Sequence, residues 1–218
     1  LMSNYRAEFF ADVFHNRKWA SLESASGYGS DTLYTRELVA ALPDMLNRLS
    51  VVSMLDVPCG DFHWMKDVDL RGISYTGGDI VPAMIEANRA LYARPGVAFE
   101  TIDLVSDDLP KVDMIFVRDC FIHFTNDLIR KSLHNIQRSG SRYLCVSHEA
   151  NINRFGGPNG HNIDLDRAVE GVNYEFRPVS FELQPFAFGK PLDSVVDRID
   201  GDSVTLMAVW DIAALPLN

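Results

Sequence analysis

VVSMLDVPCGDF, residues 51–62, is the stretch whose reading decides the fold. An apolar run ends in Asp56, a tight Pro58-Cys59-Gly60 turn follows, and a second acid stands at Asp61. An apolar run of this length, bounded by turn residues, reads as a strand buried on both faces. Outward from it the pattern repeats. ISYTGGDI (73–80), VAFETIDL (97–104), VDMIFVRDC (112–120) and RYLCVSHE (142–149) read as further strands. FHWMKDV (62–68) reads as a short helix, and TNDLIRKSLHNIQRS (125–139) as a longer one. PAMIEANRALYAR (82–94) reads as a helix with Pro82 in its first turn. Strands alternating with helices predict an α/β fold, a mostly parallel sheet with helices on both faces. SVVDRIDGDSVTLMAVWDI (194–212) reads as two strands turning at Asp200-Gly201-Asp202, an antiparallel hairpin.

Residues 1–50 read as an N-terminal helical cap and 51–218 as the core. EFFADVF (8–14) has helical spacing, and Ser30 or Asp31 is placed to cap TLYTRELVAALPDML (32–46). Pro43 is expected to kink or restart that helix. WASLESASGYGS (19–30) reads as a loop. The segment 150–192 breaks the alternation and is too long for a simple connection, so it reads as a functional insertion or lid within the core.

The chain has 218 residues, is 47% hydrophobic and 23% charged, and carries a formal charge of −10. That length suffices for a substantial core without disulfides or metals. The acidic balance argues against nucleic acid as a partner, since that binding rests on clustered Lys and Arg. No apolar run reaches the roughly 18 residues of a membrane span. The N-terminal stretch lacks the basic-then-apolar order of a signal peptide. Cys59, Cys120 and Cys145 form no CxxC pair and read as buried thiols of a cytoplasmic protein. His148 and His161 lack a partner set at zinc-ligand spacing.

Open α/β sheets bind ligands at the carboxyl ends of their strands, near the point where strand order reverses. Asp56 and the turn after it stand at such an end. Gly60 allows close approach of the backbone to a ligand. Asp79 ends the next strand, about 20 residues on, where an acid accepts hydrogen bonds from ribose hydroxyls. Asp103 ends the third strand, where it either meets the amine of a base or stands solvated. A nicotinamide dinucleotide would set a pyrophosphate against the turn, which calls for several glycines and no acids. Here one glycine stands between Asp56 and Asp61. Like unit charges about 4 Å apart repel by about 4 kcal/mol at an effective dielectric of 20. S-adenosylmethionine has no phosphate and a net positive charge, so both acids suit it.

The run LDVPCGDF, then GGDI, IDL and FVRDCFIHF, resembles the class I S-adenosylmethionine-dependent methyltransferases over roughly residues 50–150. The resemblance implies a Rossmann-like, seven-stranded, mostly parallel sheet whose last strand is antiparallel. Trp19, SASGYGS, LDVPCGDFHWM and RPVSFELQPFAF further resemble an uncharacterised bacterial subgroup, some relatives of which are associated with surface-polysaccharide genes. Pro58 and Phe62 stand where the family's outer turn glycines would be. By resemblance, Asp56, Pro58 and Gly60 lie near the methionine moiety and Asp79 binds the ribose. Ile80 packs on the adenine, Asp103 and Leu104 flank its edge, and Asp119 faces the transferred methyl group. The cofactor implied is S-adenosylmethionine, leaving S-adenosylhomocysteine.

Methyl transfer needs alignment of acceptor, methyl and sulfur, and a hydroxyl acceptor also needs a base. His123 and His148, both near strand ends, are the candidate bases, with titration near neutral pH. Asp119 and His123 are four residues apart and share a face if FIHF opens a helical turn. Glu149 reads as a second strand-end acid or a solvated charge. Arg118 reads as the partner of a nearby acid. Arg177, in the expected lid, reads as a clamp for an anionic substrate. Trp19 and Tyr28 flank the Ser/Gly loop and either close over a ligand or staple the loop to the core. Phe62 and Trp64 read as core. The expected activity is methyl transfer to an oxygen or nitrogen of a small, sugar-like or phosphorylated metabolite. The alternatives are a nicotinamide-dependent oxidoreductase and a non-catalytic nucleoside-binding domain.

Overall fold

The apolar runs pair into one seven-stranded sheet in the computed structural model, which describes residues 4–151, 156–157, 160–166 and 168–217. Its first five strands are β1 (Ser53–Asp56), β2 (Ser74–Asp79), β3 (Val97–Thr101), β4 (Met114–Val117) and β5 (Tyr143–Glu149). A separate two-residue pair follows, β6 (Gly156–Gly157) and β7 (His161–Asn162), and then the hairpin β8 (Asp193–Asp200) and β9 (Ser203–Asp211). The order across the sheet is β3-β2-β1-β4-β5-β9-β8. β1 to β5 are parallel, and β9 runs antiparallel between β5 and β8. The chain moves outward from β1 to β3 and then returns to β4 on the other side of β1. Strand order therefore reverses between β1 and β4, which opens a crevice at their carboxyl ends.

Successive side chains of a strand face opposite sides, and the two cores follow that alternation. Leu55, Ile115, Val117, Leu144 and Val146 face one side, covered by Ile129, Leu133 and Ile136 of α4 (Asn126–Arg138). Met54, Phe116, Cys145 and Met207 face the other, covered by Leu38, Leu42, Met45 and Leu46 of α2 (Thr32–Arg48). Each fully buried Leu or Met contributes about 1.5–3 kcal/mol relative to exposure. Thr125 caps α4, its hydroxyl accepting from the Leu128 amide at 3.3 Å. α3 (Pro82–Tyr92) packs by β2 and β3. All three cysteines are buried free thiols. Among the described residues no helix is long and apolar enough to cross a membrane.

Three local expectations change. α2 runs unbroken through Pro43. Its buried face holds it to the sheet, and the missing amide leaves the Val39 carbonyl alone without its usual donor. FHWMKDV is a short 3-10 turn at Met65–Asp67 rather than a helix. Phe62 has φ +58 and is wholly buried, which commits the residues before Trp64 to the turn. Asp31 stands at the N-cap of α2, but its side chain does not cap the helix. Glu23 does this instead, accepting from the amide of Thr32 at 2.9 Å and from its hydroxyl at 2.8 Å. Within residues 1–50, α2 belongs to the layered core. α1 (Asn4–His15) and the 19–30 loop lie over the crevice.

Candidate functional site

The crevice between the ends of β1 and β4 opens into a cleft. Its floor is strand ends and its cover is N-terminal chain. Asp56 closes β1, 2% exposed, and accepts from the Tyr75 hydroxyl at 2.6 Å. Burial pushes its carboxyl up to about 7, against the pull of Tyr75 and Arg118. The turn follows, with Gly60 at φ +57. A Cβ there would stand 2.4 Å from Ser26 Oγ, so the position requires glycine.

Asp61, expected to meet the ligand, faces elsewhere. Its carboxylate accepts from Ser24 Oγ at 2.9 Å, from the Ala25 amide at 2.7 Å and from Ser26 Oγ at 3.1 Å. The acid that a phosphate loop would exclude is the clamp that ties the 19–30 loop to the turn. Nor does the Gly60 amide face a ligand. It donates to Asp79 at 3.2 Å, while the Gly60 carbonyl accepts from Asn88 at 2.7 Å.

Asp79 closes β2 and is 5% exposed. Burial lifts its carboxyl to about 6 even though the amides of Val81, Gly60 and Ile80 draw it down. Ile80, Val81 and Met84 continue the wall beside it, and Ile102, Asp103 and Leu104 complete the far end. Asp103 is neither solvated nor free. It binds Arg6 of α1 at 2.6 Å, and its oxygens also accept from Ser106 Oγ at 2.8 Å and the Val105 amide at 2.9 Å.

Asp119, just past β4, has φ +50 and lines the cleft. Arg198 of β8 holds both of its oxygens, at 2.7 and 2.9 Å. Burial alone would raise its carboxyl, but Arg118 and Arg198 outweigh that and hold it well below the usual carboxylate range. Such a carboxylate orients and attracts; it is not a base. Arg118 donates to Asp197 at 2.9 Å and to the Gly29 carbonyl at 2.7 Å, and lies over the Trp64 ring. The strand irregularity between Val196 and Arg198 sets Asp197 and Arg198 to reach these two partners.

His123 ends the 3-10 turn Phe121–His123 and lines the same end of the cleft. Its Nδ1 lies 3.0 Å from the Glu175 carbonyl. A carbonyl only accepts, so Nδ1 carries the proton and Nε2 the lone pair. Burial lowers the His123 pKa, and the Glu175 carbonyl and Asp119 offset this only in part, so the ring is neutral at pH 7. Trp19 stacks on it at 4.2 Å and 16°.

Several expected contributors lie elsewhere. His148 is 2% exposed and does not line the cleft. Its Nδ1 lone pair accepts the Phe181 amide at 3.1 Å, so it has none left for a substrate. Glu149 is buried, bound to Ser203 Oγ at 2.6 Å and the Asn151 amide at 2.9 Å. Arg177 is buried away from the cleft, donating to the Phe124 carbonyl at 3.0 Å and Asn126 Oδ1 at 2.7 Å. Tyr28 is 66% exposed outside the cleft, while Trp64 lines it.

No described residue of 150–192 lines the cleft, and part of that segment, 152–155, 158–159 and 167, lies outside the described residues. Residues 173–177 pack behind His123. The Asn173 and Arg177 amides bind the His123 and Ile122 carbonyls, each at 3.1 Å. Phe181 and Phe186 fill the core. The N-terminal cap supplies part of the cover through three residues the sequence did not single out, Arg6, Phe10 and Phe14, spaced four apart on α1. That spacing was a readable helix stripe. Among the described residues no three His, Cys, Asp or Glu are placed to hold a metal ion.

No protein-family model matches the chain, and no curated protein matches its sequence. Solved structures do. A 1,6-didemethyltoxoflavin-N1-methyltransferase from Burkholderia thailandensis, with S-adenosylhomocysteine bound, superposes at TM-score 0.63 and 16% identity, covering 94% of this chain and 86% of that one. Magnesium protoporphyrin IX methyltransferase from Synechocystis PCC 6803, with S-adenosylmethionine bound, gives 0.59 at 11% identity, covering 96% of each chain. N-methyltransferase NodS from Bradyrhizobium japonicum WM9 gives 0.55 at 14% identity, covering 84% of this chain and 98% of that one.

Proposed function

We propose, from a chain with the fold of the class I S-adenosylmethionine-dependent methyltransferases, that this protein transfers a methyl group to an oxygen or nitrogen of a small metabolite. The observation that carries the reading is the pair of buried acids, Asp56 and Asp79, at the strand ends of a cleft with no pyrophosphate cradle. The Gly60 amide is spent on Asp79, and the residues after the turn form no helix whose N-terminus faces the cleft. Those acceptors suit a cationic nucleoside and oppose a dinucleotide. Three of the structural neighbours are methyltransferases of small molecules or are named for methyl transfer to nitrogen, which agrees with this reading.

In this reading Asp56, Pro58 and Gly60 hold the methionine end, Asp79 the ribose, and Ile80, Asp103 and Leu104 the base. When bound, the sulfonium supplies an activated methyl carbon whose transfer leaves the electron pair on sulfur. His123 accepts the acceptor's proton at Nε2. Asp119, kept ionised by Arg198 and Arg118, stabilises the imidazolium that results. Such a base contributes about 10²–10⁴ in rate. Trp19, Phe10 and Phe14 exclude water from this end. Arg6 and Arg118, which line the cleft, are each bound to a carboxylate. That favours the sugar-like over the phosphorylated acceptor.

The test is thermal denaturation with S-adenosylhomocysteine. At 100 times its dissociation constant the stabilisation should be about 2.7 kcal/mol. Asp79→Ala should abolish it, and nicotinamide dinucleotide should give none. Stabilisation by the dinucleotide alone would replace this reading with an oxidoreductase. Binding of the homocysteine product without acceptor-dependent turnover across a panel of sugars would leave a nucleoside-binding domain.

A further inference from the structure

We infer that Trp19 is a positioning residue for His123: its indole, laid on the imidazole, locks the ring with Nε2 toward the cleft and keeps water from it. This deepens the reading of His123 as proton acceptor and rests on it. Two contacts fix the ring, and they act in different directions. The Nδ1–H bond to the Glu175 carbonyl, at 3.0 Å, lies in the ring plane. The Trp19 stack, at 4.2 Å and 16°, presses on the ring face. The hydrogen bond alone leaves the ring free to swing about its axis. The stack alone would equally accept the ring turned by 180° about Cβ–Cγ, which puts Cδ2 where Nδ1 stands and Cε1 where Nε2 stands. Together they leave one orientation, in which Nε2 carries the lone pair.

Trp19 is itself held from three sides. Phe10 of α1 meets its edge at 6.1 Å. Gly27 packs so close that a Cβ there would lie 3.3 Å from the Trp19 carbonyl. The loop carrying Gly27 is tied down by Asp61 through Ser24, Ala25 and Ser26. The turn that opens the nucleoside end thus also sets the indole on the base.

The charged groups around His123 are few among the described residues. Asp119, held by Arg198 and Arg118, is the acid acting on it, and Glu175 contributes its carbonyl. On the covering side Asp12 and Lys18 pair with each other and with the Tyr174 hydroxyl. Cys120 in the same turn is a neutral thiol, its pKa raised by burial. Burial is the largest influence on His123, so uncovering one face should let it titrate higher.

The experiment is imidazole NMR of the full chain between pH 4.5 and 8.5, with His123→Gln to assign the signal. The wild type should show one tautomer, protonated at Nδ1, titrating below the ordinary histidine range. Trp19→Ala should raise the His123 midpoint by about half a pH unit or more and mix the tautomers. Trp19→Phe, which keeps a flat ring, should restore the wild-type tautomer. If Trp19→Ala does not fold, Trp19→Leu, apolar but not flat, is read in its place with the same expectation. An unchanged tautomer and midpoint in the non-aromatic variant would overturn the inference, as would equal shifts in the Phe variant. Calorimetry with S-adenosylhomocysteine tests the underlying reading separately. No heat with an intact NMR response would sink the methyltransferase assignment and leave the Trp19–His123 lock standing.

Discussion

Asp56→Asn should stabilise the protein at neutral pH far more than at pH 4.5. Asp56 is 2% exposed, and burial raises its carboxyl from 3.8 to about 7. A carboxyl raised on folding binds its proton more tightly in the native state than in the unfolded one. Its contribution is therefore fully present below about pH 4 and is lost as pH rises through about 7. Each pH unit in that window costs about 1.4 kcal/mol, so ionising the buried group costs about 4 kcal/mol in all. About 3 kcal/mol of that falls between pH 5 and 8. Asparagine keeps an oxygen for the Tyr75 hydroxyl, which Asp56 accepts at 2.6 Å, and has nothing to ionise. Urea unfolding of the free protein and the variant, at half-unit steps from pH 4.5 to 8, reads the difference directly. Other carboxylates contribute equally to both proteins and cancel. The difference should grow by about 3 kcal/mol across that range. Parallel pH profiles would refute the claim that Asp56 is desolvated, and with it the electrostatic basis of the site. Asp79, lifted to about 6, should add a smaller loss of the same sign in both proteins.

Two further outcomes follow from the cover. Gly60→Ala places a side chain at φ +57 and a Cβ 2.4 Å from Ser26 Oγ, so it should destabilise by about 2 kcal/mol or more. Ser26→Ala in addition should recover part of that loss in urea melts and leave the backbone part. Arg6→Met leaves the Asp103 carboxylate buried without its ion partner and should cost about 3–5 kcal/mol. Adding Asp103→Leu should return much of it, as measured by the shift in urea midpoint.

The sheet was legible because its central strands, β1, β4 and β5, are buried on both faces. Leu55, Ile115 and Leu144 face one core while Met54, Phe116 and Cys145 face the other, so each run is apolar throughout and ends at an acid or turn. The ends of those runs placed Asp56, Asp79, Asp103 and Asp119 around one cleft, as their positions in the sequence implied. The course of the 150–192 segment was not legible in the same way. The length of 150–192 marked it as unusual but said nothing of which way it folds. Phe181 and Phe186 turn it into the core, and the Glu175 carbonyl places it behind His123. Asp61 misled for a related reason. Its charge was visible, but its partners, Ser24 to Ser26, are 35 to 37 residues earlier in the chain. Long-range hydrogen bonds of this kind leave no local period. His148 and Arg177 lie outside the cleft because a strand-end or loop position gives the edge of the sheet, not where the side chain spends its hydrogen bonds.

The acids at and beside the strand ends have different duties: Asp119 is held by Arg198, and the other four divide into two pairs. Asp61 and Asp103 are spent on the chain's own N-terminal segment, one through hydroxyls and an amide, the other through Arg6. Among the described residues no Lys or Arg forms an ion pair with Asp56 or Asp79, and burial works against their ionisation. A cation arriving between them would relieve that cost, since opposite charge restores the ionised form. A pyrophosphate would add to it, and would also weaken Arg6–Asp103 by competing for the guanidinium. Closure and charge selection are thus one property of the strand ends. On the proposed reading an anion would compete for Arg6 and loosen the α1 cover, whereas a cationic nucleoside would leave both N-terminal ties in place.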